Sequence, residues 1–183
     1  DAIRSRRARP ELTAPPGMGP AGNNSSGNSG SKNKTKSGAM PWLKGTDIQT
    51  YYSKGRRDFT AHNISRTDLQ NVDLSGCIFR ESKLDKTNLQ GSNLSESDFA
   101  KASLVETNLR ECRLSRSYFH GANLSNADLR KADLSYANFS SANVSGANFC
   151  GANLTGARIE KDQLATAKTN WMTIMPSGRR GFF

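Results

Sequence analysis

An apolar residue stands at every fifth position from Phe59 to Ile159, through Ile64, Leu69, Leu74, Phe79, Leu84 and onward to Phe149 and Leu154. Neither a helix of period 3.6 nor a flat strand of period 2 keeps a five-residue phase on one face for so long. A coiled backbone that turns once per pentad does. Two residues before each apolar centre lies a small residue: Cys77, Ser82, Thr87, Ser92, Ser97, Ala102, Thr107, Cys112 and Ser117, then alanine at every slot from Ala122 to Ala157. Directly before the centre most pentads carry Asn or Asp, residues whose side chains bond their own backbone and favour turns.

A longer period is superposed on the short one. Phe59, Phe79, Phe99, Phe119 and Phe139 recur every twenty residues and Ile159 completes their column, while the other columns are almost all leucine. Four pentads therefore make one circuit. Circuits stacked at strand spacing, about 4.8 Å, give a rod on the order of 25 Å long with a filled interior.

The run ANLSNADLRKADLSYANFSSANVSGANFCGANLTGA resembles the pentapeptide-repeat family, whose motif is A-[DN]-L-x-x. The resemblance implies an all-β fold, a right-handed quadrilateral β-solenoid of about five coils, with the apolar centre and the small residue pointing inward. It covers residues 57–159. Arg57 and His62 depart from it by occupying small-residue slots, and Ile78, Lys83, Arg113 and Tyr118 replace Asn or Asp. The first circuit is therefore expected to be imperfect or covered by another segment.

The flanks divide the rest of the chain. Residues 1–40, rich in Gly, Ser, Asn and Pro, read as an extended or disordered basic tail. Residues 41–56 read as an N-terminal cap: Thr46 or Asp47 is the helix N-cap candidate, Gly55 the stop, and Ile48, Tyr51 and Tyr52 the cover for the first coil. Residues 160–170 read as a cap helix with Ile159, Leu164, Ala167 and Trp171 toward one side, and 171–183 as an apolar, basic tail. Open solenoid ends need such covers because exposed edges invite strand addition.

Charge follows the same division. The chain carries +10, yet residues 57–165 hold thirteen basic and thirteen acidic side chains. The surplus lies outside, with ten basic against three acidic residues in 1–56 and Lys168, Arg179 and Arg180 without an acid in 166–183. Basic ends on a neutral rod suit an acidic protein surface, an anionic membrane face or, less readily, nucleic acid. The candidate contact residues are Arg4, Arg6, Arg7, Arg9, Lys32, Lys34, Lys36 and Trp42 on one side. On the other they are Trp171, Met172, Met175, Arg179, Arg180, Phe182 and Phe183. Arg110, Arg113, Arg116, Arg130 and Lys131 form a candidate basic patch on the middle circuits.

Catalytic chemistry finds no foothold in the sequence. No phosphate loop or nucleophile elbow is present, the aspartates sit in turn-forming slots, and His62 and His120 lack a Cys-x-x-Cys partner, so neither enzyme activity, metal nor cofactor is expected. Cys77, Cys112 and Cys150 show no disulfide spacing. No stretch reaches the length of a membrane span. Family members that inhibit topoisomerase by resembling DNA need a strongly acidic rod, which this neutral one is not. The expectation is a non-catalytic assembly or linker subunit bound to protein subunits of a large complex. An organellar nucleic-acid accessory held by its basic tails is the alternative. The Arg-rich, acid-poor segment around Arg4–Arg9 and the family's spread in cyanobacteria and chloroplasts point to a chloroplast setting, stromal or thylakoid-associated, in a photosystem or antenna assembly.

Overall fold

The computed structural model describes residues 39–181. Within them, four ladders of single-residue parallel bridges join positions twenty apart. One runs Asp58, Ile78, Asp98, Tyr118, Asn138, Arg158; the others start at Asn63, Asp68 and Asp73. Each bridge is two-sided: Phe79 N–H donates to Asp98 O at 2.7 Å, and Asp98 N–H to Cys77 O at 2.9 Å. The result is a four-sided β-solenoid whose backbone polar groups are paired between coils, as buried backbone requires.

The pentad is the natural unit because each one holds a corner. Ala102 N–H donates back to Phe99 O at 3.0 Å, closing a four-residue turn whose third residue, Lys101, has φ 58°. That left-handed conformation recurs at every corner from Ala61 to Gly156, and most corners use residues other than glycine. Such residues resist the left-handed region by roughly 1–2 kcal/mol, so the ladder on either side holds them there. The Asn or Asp before each centre stabilises the approach: Asp98 Oδ1 accepts from Ala100 N–H at 2.9 Å and Asn138 Oδ1 from Ser140 N–H at 2.9 Å. Where Ser103 replaces it, Asp85 of the preceding coil accepts from Val105 N–H at 3.0 Å instead.

Inside, the five phenylalanines stack with centroids 5.5, 5.2, 5.1 and 4.9 Å apart and ring planes within 16°. All five are buried, and the leucine columns fill the remaining space. Ile159 does not finish this column as a core residue. It is half-buried, and Phe139 meets the edge of Phe149 at 5.9 Å because Phe149 replaces a leucine in the column of the opposite face. The small column does more than admit the walls. Ser82, Thr87, Ser92, Ser97, Thr107 and Ser117 each donate a hydroxyl to a carbonyl of the previous coil, as Ser92 does to Leu69 O at 2.6 Å. Alanine fills the slot from position 122 to 157, where these bonds lapse until Thr173 restores one in the last coil.

Both ends differ from the simplest reading of the flanks. Helix α1 spans Gly45–Ser53 with Lys44 as N-cap; Asp47 is its third residue, accepting from Lys44 N–H at 3.1 Å, so neither Thr46 nor Asp47 is the cap itself. Ile48 is buried under the first coil and Tyr52 is half-buried, while Tyr51 is exposed. The misfit Arg57 is explained here: its guanidinium lies 3.6 Å from the centroid of the Tyr52 ring and donates to Tyr52 O at 2.8 Å. Arg56 closes the phenylalanine stack, 5.2 Å from the Phe59 centroid.

At the other end α2 is one short helix, Lys161–Ala165, with Leu164 buried. It stops well before residue 170 because Lys168 rejoins the third ladder opposite Asn148, and Ile174 the fourth opposite Asn153. The segment beyond is therefore not a free tail as far as residue 181. Ile174 pairs antiparallel with Arg180, and Thr173 occupies an inward slot with its hydroxyl on Phe149 O at 3.0 Å.

Candidate interaction surfaces

The candidate basic patch is spread over two faces and two corners, and most of its charge is matched. Arg116 pairs with Glu96 at 3.9 Å and Lys131 with Glu111 at 3.6 Å, each across one coil. Arg130 holds Asp128, its Nε at 2.8 Å from Oδ1. Burial pushes the Asp128 carboxyl upward, but the hydrogen bonds from Arg130 outweigh it and leave the group below the ordinary aspartate value. The same hydrogen bond raises Arg130. Arg110 is half-buried, with Nε lacking a hydrogen-bond partner among the described residues, and Arg113 is exposed. Surface pairs of this kind contribute little energy, but they remove the field that a basic patch needs.

These corner pairs belong to a regular device. Glu81 faces Lys101 at 4.0 Å and Lys86 faces Glu106 at 3.4 Å, so each corner of the rod carries one axial pair of opposite charge. The signal was available at spacing twenty.

The terminal candidates are distributed unevenly. Trp42 is 65% exposed and walls a shallow groove of about 430 Å³ with Arg66, Lys86 and Val105. Trp171 and Met172, 62% and 48% exposed, form the two-residue turn of the last coil. Arg180 lies over the Trp171 ring at 5.8 Å, and Arg179 is exposed beside it. Met175 turns away from that tip and lines an apolar groove of about 470 Å³ with Leu164 and Ala165. Arg4, Arg6, Arg7, Arg9, Lys32, Lys34, Lys36, Phe182 and Phe183 lie outside the described residues.

Among the described residues, no three His, Cys, Asp or Glu side chains gather as metal ligands, and no helix is long and apolar enough to cross a membrane. Cys77 and Cys112 are free and buried, and burial pushes both thiols up to about 12. Cys150 is free and half-buried on the third face. His120 is exposed, its ring 6.0 Å from that of Tyr118. His62 donates through Nδ1 to Thr60 O at 2.7 Å and receives Arg56 Nη2 at 3.1 Å.

Geometry and repeat together define a stacked-pentad solenoid. The Pentapeptide repeat region model matches residues 92–169 and the Pentapeptide repeats (8 copies) model residues 63–99. The chain belongs to the pentapeptide-repeat family, whose members form right-handed β-solenoids. Similar solved structures include the pentapeptide repeat protein Rfr23 from the cyanobacterium Cyanothece 51142, at 26% identity over 69% of this chain and 97% of that one, TM-score 0.35. HetL from Nostoc sp. PCC 7120, a protein involved in heterocyst differentiation regulation, is 22% identical over 76% and 100%, TM-score 0.29. A thylakoid lumen pentapeptide repeat protein from Arabidopsis thaliana is 20% identical over 62% and 76%, TM-score 0.30. Likeness at this level transfers no function. No curated protein matches the chain.

Proposed function

We propose that this protein is a non-catalytic assembly or linker subunit, a rigid rod of about five coils closed by α1 and α2, which docks protein subunits of a larger complex through its ends. The observation that supports this most directly is how the polar side chains are used. Aspartate and asparagine are spent on turns, buried hydroxyls on neighbouring carbonyls, and corner charges on each other. Exposed aromatic residues, by contrast, include Trp42 near the first coil and Trp171 at the last. Residues of this type dominate interface energies when buried by a partner.

The setting we favour is a chloroplast photosynthetic assembly, supported by the Arg-rich, acid-poor segment around Arg4–Arg9. The test is native co-purification of the tagged full chain with mass spectrometry. It is repeated on a chain lacking residues 1–40 and on a Trp42→Ala, Trp171→Ala chain. Recovery of a defined multi-subunit assembly, lost on one or both changes, is the expected result. An assembly that survives both refutes docking through the ends, and capture of nucleic acid with a steep salt dependence supports the accessory reading instead.

A further inference from the structure

We propose that the C-terminal tip of the rod is a contact for an anionic lipid surface, with Trp171 and Met172 entering the interface and Arg180, together with the other unpaired cations of 168–181, meeting the headgroups. The tip is built outward by its own hydrogen bonds. Asn170 Oδ1 accepts from Met172 N–H at 3.1 Å and from Gly151 N–H at 3.0 Å, while Thr173 N–H donates to Asn170 O at 2.9 Å. These bonds place Thr173, fully buried, in the inward slot of the last coil and hold the larger Trp171 and Met172 on the corner outside. An indole and a thioether that the fold could have turned inward are thus presented to solvent on a fixed turn.

The surroundings of that turn are cationic. Arg180 sits over the indole. The Lys131 stem and Met172 both border Gly151, at 3.5 and 4.0 Å from the place where a Cβ would stand. Lys168 and Arg179 are the other cations of this segment, and residues 166–181 contain no acid. Of the acids on the coils beneath, Glu111 holds Lys131, which therefore adds no free charge, Asp128 holds Arg130, and Asp133 accepts from Ser135 N–H and Asn153 Nδ2. Among the described residues Lys168, Arg179 and Arg180 form no ion pair.

Shape favours lipid over protein. Trp171 and Met172 stand on a convex corner, and neither lines the grooves formed by Trp42 or Met175. A protein hot spot is ordinarily enclosed by its partner in a matching pocket, whereas a fluid bilayer surface moulds itself to a projecting tip. Indole at the headgroup level with cations beside it is the chemistry by which peripheral proteins attach to anionic membranes. This narrows the docking assigned to Trp171 above to a lipid surface at that end, leaving protein docking to the Trp42 end, and purified vesicles containing no protein test it separately.

The probe is vesicles of phosphatidylcholine alone or mixed with phosphatidylglycerol, added to the full chain carrying Trp42→Phe so that emission comes from Trp171. The expected result is binding to the anionic vesicles with a blue-shifted emission and quenching by brominated acyl chains. Trp171→Ala with Met172→Ser should weaken binding roughly tenfold while the far-UV spectrum is kept. Failure to bind, or binding without blue shift or quenching, overturns the proposal; the second outcome assigns attachment to basic residues elsewhere. Should the tip variant unfold, quenching in the Trp42→Phe chain still decides. Capture of an acidic protein through Trp171 with no vesicle binding would make the tip a protein site and end the lipid assignment.

Discussion

Replacing Phe99 by alanine removes the middle ring of a column one side chain wide. Phe99 is fully buried and stacks on Phe79 at 5.2 Å and Phe119 at 5.1 Å. Truncating a buried phenylalanine costs about 3–5 kcal/mol, and two stacked neighbours place this site toward the upper part of that range, since each ring pair adds roughly 0.5–1.5 kcal/mol beyond area. Collapse offers little relief, because the coils on both sides are fixed by the ladder bonds from Phe79 N–H to Asp98 O and from Phe99 N–H to Tyr118 O. Phe99→Leu, which keeps most of the volume and loses the stacking, should cost about 1–3 kcal/mol. Phe99→Arg should prevent folding by burying an unpaired charge. Urea unfolding followed by far-UV circular dichroism reads the differences. A Phe99→Ala chain destabilised by less than about 1.5 kcal/mol, or a folded Phe99→Arg chain, would refute the rigid, filled column.

Other expected outcomes follow from smaller features. Ser92→Ala deletes the 2.6 Å bond to Leu69 O and should cost about 1 kcal/mol in the same urea assay. Ala132→Ser, at the equivalent inward slot two coils on, should be neutral or slightly stabilising. Iodoacetamide at pH 8 should label Cys150 alone in the folded protein, because burial leaves Cys77 and Cys112 as thiols with values of about 12. Peptide mass spectrometry should show all three labelled in urea, and labelling of Cys77 in the folded chain would contradict its inward placement. The Asp73 carboxyl is held below its ordinary 3.8 by the backbone and hydroxyl bonds of Ser75, so its stabilising contribution is present at neutral pH. It is lost as pH falls below 3.8 through the folded-state value. Asp73→Asn should therefore flatten the acid limb of a stability-against-pH curve, and an unchanged limb would show that Asp73 does not couple to folding.

Much of the interior was legible in the sequence because it is one-dimensional. Phe79, Leu84, Leu89 and Leu94 share an environment that recurs every five residues, so period alone assigns them inward and spacing twenty assigns their neighbours. The ends were less legible, because there the repeat gives way to contacts between segments of unlike sequence. Nothing at Arg57 announced a guanidinium on Tyr52, and nothing at Lys168 or Ile174 showed that they would rejoin the ladders after α2. A 21-residue step from Asn153 to Ile174 hides the register from any search for a strict pentad.

The sequence by itself determined a four-sided solenoid, a phenylalanine column and a neutral rod between basic flanks, since each depends on period and count. Only the tertiary structure decided which charges meet. Stacking at spacing twenty places Glu96 against Arg116 and Glu111 against Lys131, quenching a patch that looked basic in linear order. The same stacking continues through Thr173, which takes the interior slot and leaves Trp171 and Met172 on the outside corner. Burial is settled there by which side chain completes the hydrogen bonds of the last coil, and hydrophobicity alone does not encode it.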